Sequence, residues 1–304
     1  MADMTKLSQF IESARSKKKS RIAVAGAADM PVLEAVHAAS QAGIVQPLLV
    51  GKRSEIQAMA GKIGMDLGNA EIVDIADPAE AAARAVSAVR EGQAGILMKG
   101  FIQTETLLKA VLNKEHGLGT GKLLSHVGIF ESPYYPKLVC ITDAAMNIAP
   151  VLEDKVGILN NAVSLLHRLG KEKPAVAVLA AVETVNTKME ATIHAAMLSQ
   201  MNSRGQIKGC VVDGPLALDN CVSKEAAAHK GISGDVAGNA DIILVPDIEA
   251  GNSLYKALVF LGGAVPAGLI IGAKAPIVLT SRSDSPDSKL YSIALAACTD
   301  AEAP

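Results

Sequence analysis

Residues 21–51 read RIAVAGAADMPVLEAVHAASQAGIVQPLLVG, and this stretch decides the fold. RIAVA (21–25) is a short apolar run suited to a buried strand. Pro31 then opens a helix whose apolar stripe is Val32, Val36 and Ala39, closed by Gly43, and PLLVG (47–51) is a second strand. The alternation continues outward. A helix over 54–63 precedes the strand EIVDI (71–75), and Asp77, an N-cap with Pro78 at N1, opens a helix running to Gly92. GILMKG (95–100) is the fourth strand and 103–113 the next helix. Strand and helix in strict turn predict a parallel sheet with right-handed crossovers.

The pattern breaks once and resumes. HVGIF (126–130) and KLVCIT (137–142) flank the proline-rich SPYYP (132–136), which predicts two strands and their connection. A helix over 153–169 stopped by Gly170, the strand AVAVLA (175–180) and a long helix over 186–201 come next. Then come GCVVD (209–213), a helix after Ser223, DIILVP (241–246), a helix over 251–261, the strands GLII (268–271) and PIVLT ending at Thr280, and a last helix over 287–297. No internal repeat and no low-complexity segment interrupts this plan. Two α/β lobes fit it.

Composition narrows the function. The 304 residues carry 29 Lys+Arg against 31 Asp+Glu, a net charge of −2, which lacks the basic excess of a nucleic-acid binder. No Trp, four Tyr and four Phe leave little for stacking on bases. Half the residues are hydrophobic, enough for a large core. Mean hydropathy is +0.29, yet the longest uncharged run, between Lys256 and Lys274, contains four glycines and Pro266 and is too short to span a bilayer. Lys17-Lys18-Lys19-Ser20-Arg21 before IAVAGAA imitates a signal peptide, but the apolar stretch is short and ends at Asp29. The expected protein is soluble and cytoplasmic. Cys140, Cys210, Cys221 and Cys298 form no CxxC pair, so neither a metal site nor a disulfide framework is expected.

Several motifs fail on spacing. Gly117-Leu118-Gly119-Thr120-Gly121-Lys122 is one residue short of a phosphate loop, and Leu123 stands where a magnesium-holding hydroxyl belongs. No GxGxxG follows the first strand. Ser125 and His126 are neighbours on a strand and point to opposite faces, so they make no nucleophile–base pair.

The chemistry gathers near the end, in PIVLTSRSDSPDSKLYSIALA (276–296). An apolar strand stops at Ser281-Arg282. Ser285 is an N-cap, Pro286 an N1 residue, and Leu290, Ile293, Ala294 and Ala297 supply the helix stripe. Free N–H groups at a helix start attract anions, and an arginine adds a planar donor fork, so Ser281 and Arg282 are candidates for a phosphate or oxyanion site. Polar residues recur at other strand ends: Lys99-Gly100, Asp143, Asp213 with Gly214-Pro215, and Asp247 with Gly251 and Asn252 beyond. Open α/β sheets bind ligands at such ends, although each residue alone also fits a helix cap.

These stretches carry a resemblance. MKG (98–100), LLSHVGIF (123–130), ITDAAMNIAP (141–150), AAVETVNTKM (180–189), VDGPLALDN (212–220), HKGISGDVAGNADIILVPDIEAGNSLYK (229–256) and PIVLTSRSDS (276–285) resemble the phosphate acetyl/butyryltransferase family over nearly the whole chain. GPLALDN and LYSIALA (290–296) look closer to its butyryltransferase branch. The resemblance implies two α/β/α lobes with largely parallel sheets and an interdomain cleft, similar to the isocitrate/isopropylmalate dehydrogenase fold. The expected division is 1–140 plus 272–304, carrying the Ser-Arg motif, against 141–271. It implies reversible transfer between a short acyl-CoA and phosphate, with CoA as substrate, no prosthetic group, no metal and a homo-oligomer.

Among the matching residues, Ser125, His126, Asn147 and Lys230 join Lys99, Gly100, Asp143, Asp213, Asp247, Gly251 and Asn252 as candidate substrate-binding groups. Arg282 suits phosphate or oxyanion oxygens, and Ser281 the carbonyl or the thiol sulfur. A thiol with a pKa of about 8.5 gains from a nearby base. The acetyltransferases carry an Asp seven positions after the motif serine, where this chain has Ser288; Asp284 is the favoured substitute, and Asp287 reads as a residue complementing the helix dipole. Two rival readings remain at this level. One is a NAD-dependent hydroxy-acid dehydrogenase of the same fold, with Asp213 and Asp247 as its metal-binding candidates; the other is a non-catalytic CoA or acyl-phosphate sensor.

Overall fold

The computed structural model describes residues 4–280 and 284–300. In chain order the elements are α1 (Ser8–Arg15), β1 (Ser20–Ala25), α2 (Met30–Gln41), β2 (Val45–Gly51), α3 (Arg53–Lys62), β3 (Glu71–Asp74), α4 (Pro78–Arg90), β4 (Ile96–Lys99) and α5 (Thr104–Val111). Next come β5 (Ser125–Glu131), β6 (Val139–Thr142), α6 (Leu152–Arg168), β7 (Ala175–Leu179), α7 (Glu190–Ser203), β8 (Val211–Leu216), α8 (Leu218–Val222), α9 (Lys224–His229), β9 (Ile242–Leu244) and α10 (Ile248–Phe260). The chain closes with β10 (Val265–Ile271), β11 (Ile277–Val278) and α11 (Pro286–Thr299).

The chain forms two compact units. One comprises Leu7–Lys122 with the described residues from 267 on; the other is Leu123–Pro266 with the described residues before Leu7. The expected cut at 140/141 falls inside β6. Its physical reason is strand pairing: β5 is hydrogen-bonded antiparallel to β6, Ile129 opposite Cys140, so 123–140 cannot be separated from the rest of the second unit. The other expected cut, after 271, moves to 266.

In the first unit the strand order is β3-β2-β1-β4-β11-β10. β2–β3, β1–β2, β1–β4 and β4–β11 are parallel, and β10 runs antiparallel to β11. Ile22, Val24, Leu49, Ile96, Leu97, Ile277 and Val278 are fully buried, as expected for strands covered on both faces. Each such side chain contributes roughly 1.5–3 kcal/mol on burial. The helix α1, which periodicity alone did not reveal, adds Phe10, whose carbonyl accepts the Cys298 thiol of α11 at 3.2 Å.

The second unit orders its strands β5-β6-β9-β7-β8, parallel except for the β5–β6 pair. Its core holds Phe130, Val139, Ile141, Ala177, Ile243 and Val245, with Tyr255 of α10 edge-on to Phe130 at 4.9 Å between ring centres. The mixed α/β class and the mainly parallel sheets agree with expectation. The start of one helix moves inward: the stretch expected to be helical from 186 winds only from Glu190. The Thr192 hydroxyl donates to the Asn186 carbonyl and accepts from the Asn186 N–H, at 3.0 and 2.9 Å, holding the chain before it in a turn.

Candidate functional site

Strand order reverses between β1 and β4: the chain leaves β1 toward β2 on one side and finds β4 on the other. Such a switch point opens a crevice at the strand carboxyl ends, where open α/β sheets take ligands. There the first unit has a cavity of about 200 Å³ lined by Asp29, Pro31, Val32, Lys99, Gly100, Phe101, Thr280 and Lys289. Asp29 follows β1, Lys99 to Phe101 follow β4, and Thr280 follows β11, which register brings alongside β4 with Val278 opposite Met98. A larger cavity of about 330 Å³ lies nearby, at the ends of β1, β2 and β3. Its lining charges, Lys52 and Glu55, are paired at 2.8 Å. Charge therefore distinguishes the smaller one.

Backbone geometry makes that crevice. Gly26 takes φ +71° just after β1, where a side chain would be strained. The turn after β4 then closes over it: Gly100 N–H donates to Ala25 O at 2.8 Å and Phe101 N–H to Gly26 O at 2.7 Å. The half-buried Lys99 ammonium donates to the carbonyls of Gly100 and Ile102 at 3.1 and 3.3 Å. Lys289, only 3 % exposed, donates to the main-chain carbonyl of Asp284. Two lysines lining one cavity suit a doubly charged anion such as phosphate.

The end motif folds as its residues dictate. Ser285 caps α11, its hydroxyl accepting from Ser288 N–H at 3.1 Å, with Pro286 in the first turn. Ser281 and Arg282 lie outside the described residues; Thr280 before them lines the cavity. Asp284 is half-buried and not among the described lining residues.

Five candidates of the second unit come together. Asp143, 2 % exposed, accepts from the N–H groups of Ala145 and Met146 at 2.9 Å each and from the Asn147 amide at 2.6 Å. Asn147 also donates to Leu124 O at 2.9 Å, and Asn252 to Ala144 O at 3.2 Å. Asp247 caps α10 by accepting from Ala250 N–H at 2.8 Å, so that helix starts at Ile248 rather than at 251. A Cβ at Gly251 would lie 2.9 Å from Asp143 O, so glycine allows α10 to meet this loop. These polar groups are spent on holding the loop after β6. Ser125 and His126 diverge as strand neighbours should: Ser125 accepts from Asn161 at 2.9 Å, while the His126 ring lies 5.9 Å from that of Tyr255.

The remaining two candidates stand elsewhere. Lys230 is paired with Glu183 at 2.6 Å and Asp219 at 3.2 Å, and its ammonium lowers the Glu183 carboxyl below its usual range. Asp213 accepts from the Gly214 N–H that follows it, at 2.8 Å. Asp213 and Asp247, which a metal-dependent dehydrogenase would need in one cluster, form no such group: among the described residues no three His, Cys, Asp or Glu converge. All four cysteines are free and buried, and burial raises the thiols of Cys210 and Cys221 to about 11 and about 12.

Sequence reasoning missed Asp29, Thr280 and Lys289. Lys289 did leave a signal, since a lysine in the first turn of a helix opposes the dipole and calls for a partner. It also missed a partly buried pair in the second unit: Lys155 Nζ donates to His194 Nδ1 at 2.9 Å, with Glu190 3.7 Å from His194 Nε2. Burial lowers Lys155, and burial followed by the Lys155 charge lowers His194.

The first unit is thus an open, mainly parallel α/β sheet with a lysine-lined cavity at its switch point. Comparison with known proteins is more specific. Residues 6–84 and 77–297 match the family described as "Phosphate acetyl/butaryl transferase", and the chain belongs to that family. It is 51% identical over 289 residues to the phosphate butyryltransferase of Clostridium acetobutylicum, covering 95% of this chain and 96% of that one. It is 49% identical over 291 residues to the phosphate acetyltransferase of Thermotoga maritima, covering 96% and 98%. A crystal structure of a branched-chain phosphotransacylase from Enterococcus faecalis V583 superposes with a TM-score of 0.83 at 38% identity, covering 92% of this chain and 98% of that one.

Proposed function

We propose that the protein catalyses acyl-CoA + phosphate ⇌ acyl phosphate + CoA, with butyryl-CoA preferred to acetyl-CoA. The observation that carries this reading is the Lys99–Thr280–Lys289 crevice in a chain of this family. Lys99 and Lys289 hold the phosphate oxygens. Arg282, which never loses its charge, stabilises the oxyanion that grows on the acyl carbonyl, and Ser281 donates to that carbonyl or positions the sulfur. CoA is a substrate and no bound cofactor takes part. The chain-length preference rests on the GPLALDN and LYSIALA segments. Assembly as a homo-oligomer belongs to the same reading.

The test is CoA release from acetyl- through valeryl-CoA, with and without phosphate, after dialysis against chelator. Phosphate-dependent release with the highest kcat/KM for butyryl-CoA is expected. No release from any member would overturn the activity; a higher kcat/KM for acetyl-CoA would overturn only the chain-length preference.

A further inference from the structure

Three aspartates stand at helix N-caps, and they behave differently. Asp77 accepts from the N–H groups of Ala79 and Glu80 at 2.9 and 2.8 Å, and Asp247 from that of Ala250 at 2.8 Å. Asp29, at the same position before α2, makes no side-chain cap bond. Pro31 explains part of this: it occupies the second helical position, from which a cap would ordinarily draw a donor, and has no N–H to give. Asp29 instead lines the crevice with Lys99 and Lys289, and it is the one acidic residue among the described lining residues.

We infer that Asp29 is the general base that takes the proton from the CoA thiol. The inference rests on the acyl-transfer reading above and fills the role that Ser288 cannot. In the direction of acyl-CoA formation, Asp29 accepts the thiol proton as sulfur attacks the acyl phosphate carbonyl carbon. The new C–S bond forms, the tetrahedral oxyanion collapses, and the C–O bond to phosphate breaks. The proton on Asp29 passes to the departing phosphate oxygen, which leaves as hydrogen phosphate, so the carboxylate is regenerated without help from solvent. In reverse, hydrogen phosphate gives its proton to Asp29 as it attacks the thioester, and the leaving thiolate takes it back. One carboxylate and two ammonium groups at the same crevice suit both halves, since the proton acceptor and the phosphate holders must lie within one reacting group of each other.

Asp29→Asn tests this in the acyl phosphate plus CoA direction. Expected is a fall in kcat of roughly 10²–10⁴, the usual loss of a general base, with KM for acyl phosphate changed by less than about threefold. The residual rate should climb with pH toward the thiol's own ionisation near pH ~8.5, where the base becomes unnecessary. Wild-type kcat in Asp29→Asn, or a loss without alkaline recovery, would overturn the assignment. If Asn at 29 lowers Tm, Asp29→Glu decides: it should exceed Asp29→Asn at neutral pH at least tenfold, and equality of the two would equally overturn it. An inactive wild type would instead reject the acyl-transfer reading itself.

Discussion

A Cβ placed on Gly100 would lie 2.1 Å from the carbonyl oxygen of Gly26. The two glycines bring the turns after β1 and β4 into backbone contact, and Asp29 and Lys99 beside these turns line the crevice. Gly100→Ala has no flexible side chain to displace, only main chain. Expected is a stability loss of about 1–3 kcal/mol by urea unfolding, the range for overpacking, together with a clear drop in kcat as the turn carrying Lys99 shifts. Unchanged stability and rate would mean that the turn yields freely.

The loop after β6 depends on one carboxylate. Asp143→Ala leaves three main-chain N–H groups without an acceptor in a partly buried place and takes one of the two acceptors of the Asn147 amide, which keeps Leu124 O. Expected is a loss of about 3 kcal/mol by urea unfolding, since each stranded buried donor costs ~1–3 kcal/mol and such costs do not add fully. Asp143→Asn, which keeps one acceptor oxygen, should lose less. Equal losses in the two variants would remove the carboxylate from its place as loop holder.

His194 gives the stability a pH dependence. Its folded pKa is lowered, by burial first and by Lys155 second. As pH falls below the ordinary imidazole value of about 6.5, the unfolded chain takes the proton before the folded one does. Stability present above that value is therefore lost as pH falls through the lowered folded pKa. Glu190 on α7, Glu153 on α6 and Asp247 at the start of α10 face the pair and temper the loss. The urea midpoint of wild type should drop through this window, and that of His194→Gln should drop less. Parallel curves would assign the acid limb to other groups.

Elements were legible where local chemistry agreed with packing. Asp77-Pro78 and Ser285-Pro286 read as helix starts and are helix starts, because cap and proline act within one turn. β1, β2 and β4 read correctly because burial on both faces leaves a largely apolar run. The lobe boundary was not legible, since the pairing of Ile129 with Cys140 depends on which strands meet, and periodicity carries no such information. Asp247 read as a strand-end ligand candidate and is a cap; both uses put an aspartate at the same place in the chain. Asp29 is the converse. Its spelling is that of a cap, and only the structure shows it without a side-chain cap bond and beside a cavity formed by segments from three distant parts of the sequence.

The last helix has a consequence for how the protein is made. α11 is buried from Ser288 to Thr299 except at Leu290 and Tyr291, and it packs on α1 and α2 from the start of the chain. During synthesis Leu123–Pro266 emerges as one continuous piece and can close its own core, whereas the strands that preceded it still lack β11 and α11. The unit that contains β1 to β4 is thus completed only after the unit that follows β4 along the chain. A chain that stops short of Pro286 would leave its opening helices with nothing to bury against, and its apolar faces would be open to aggregation.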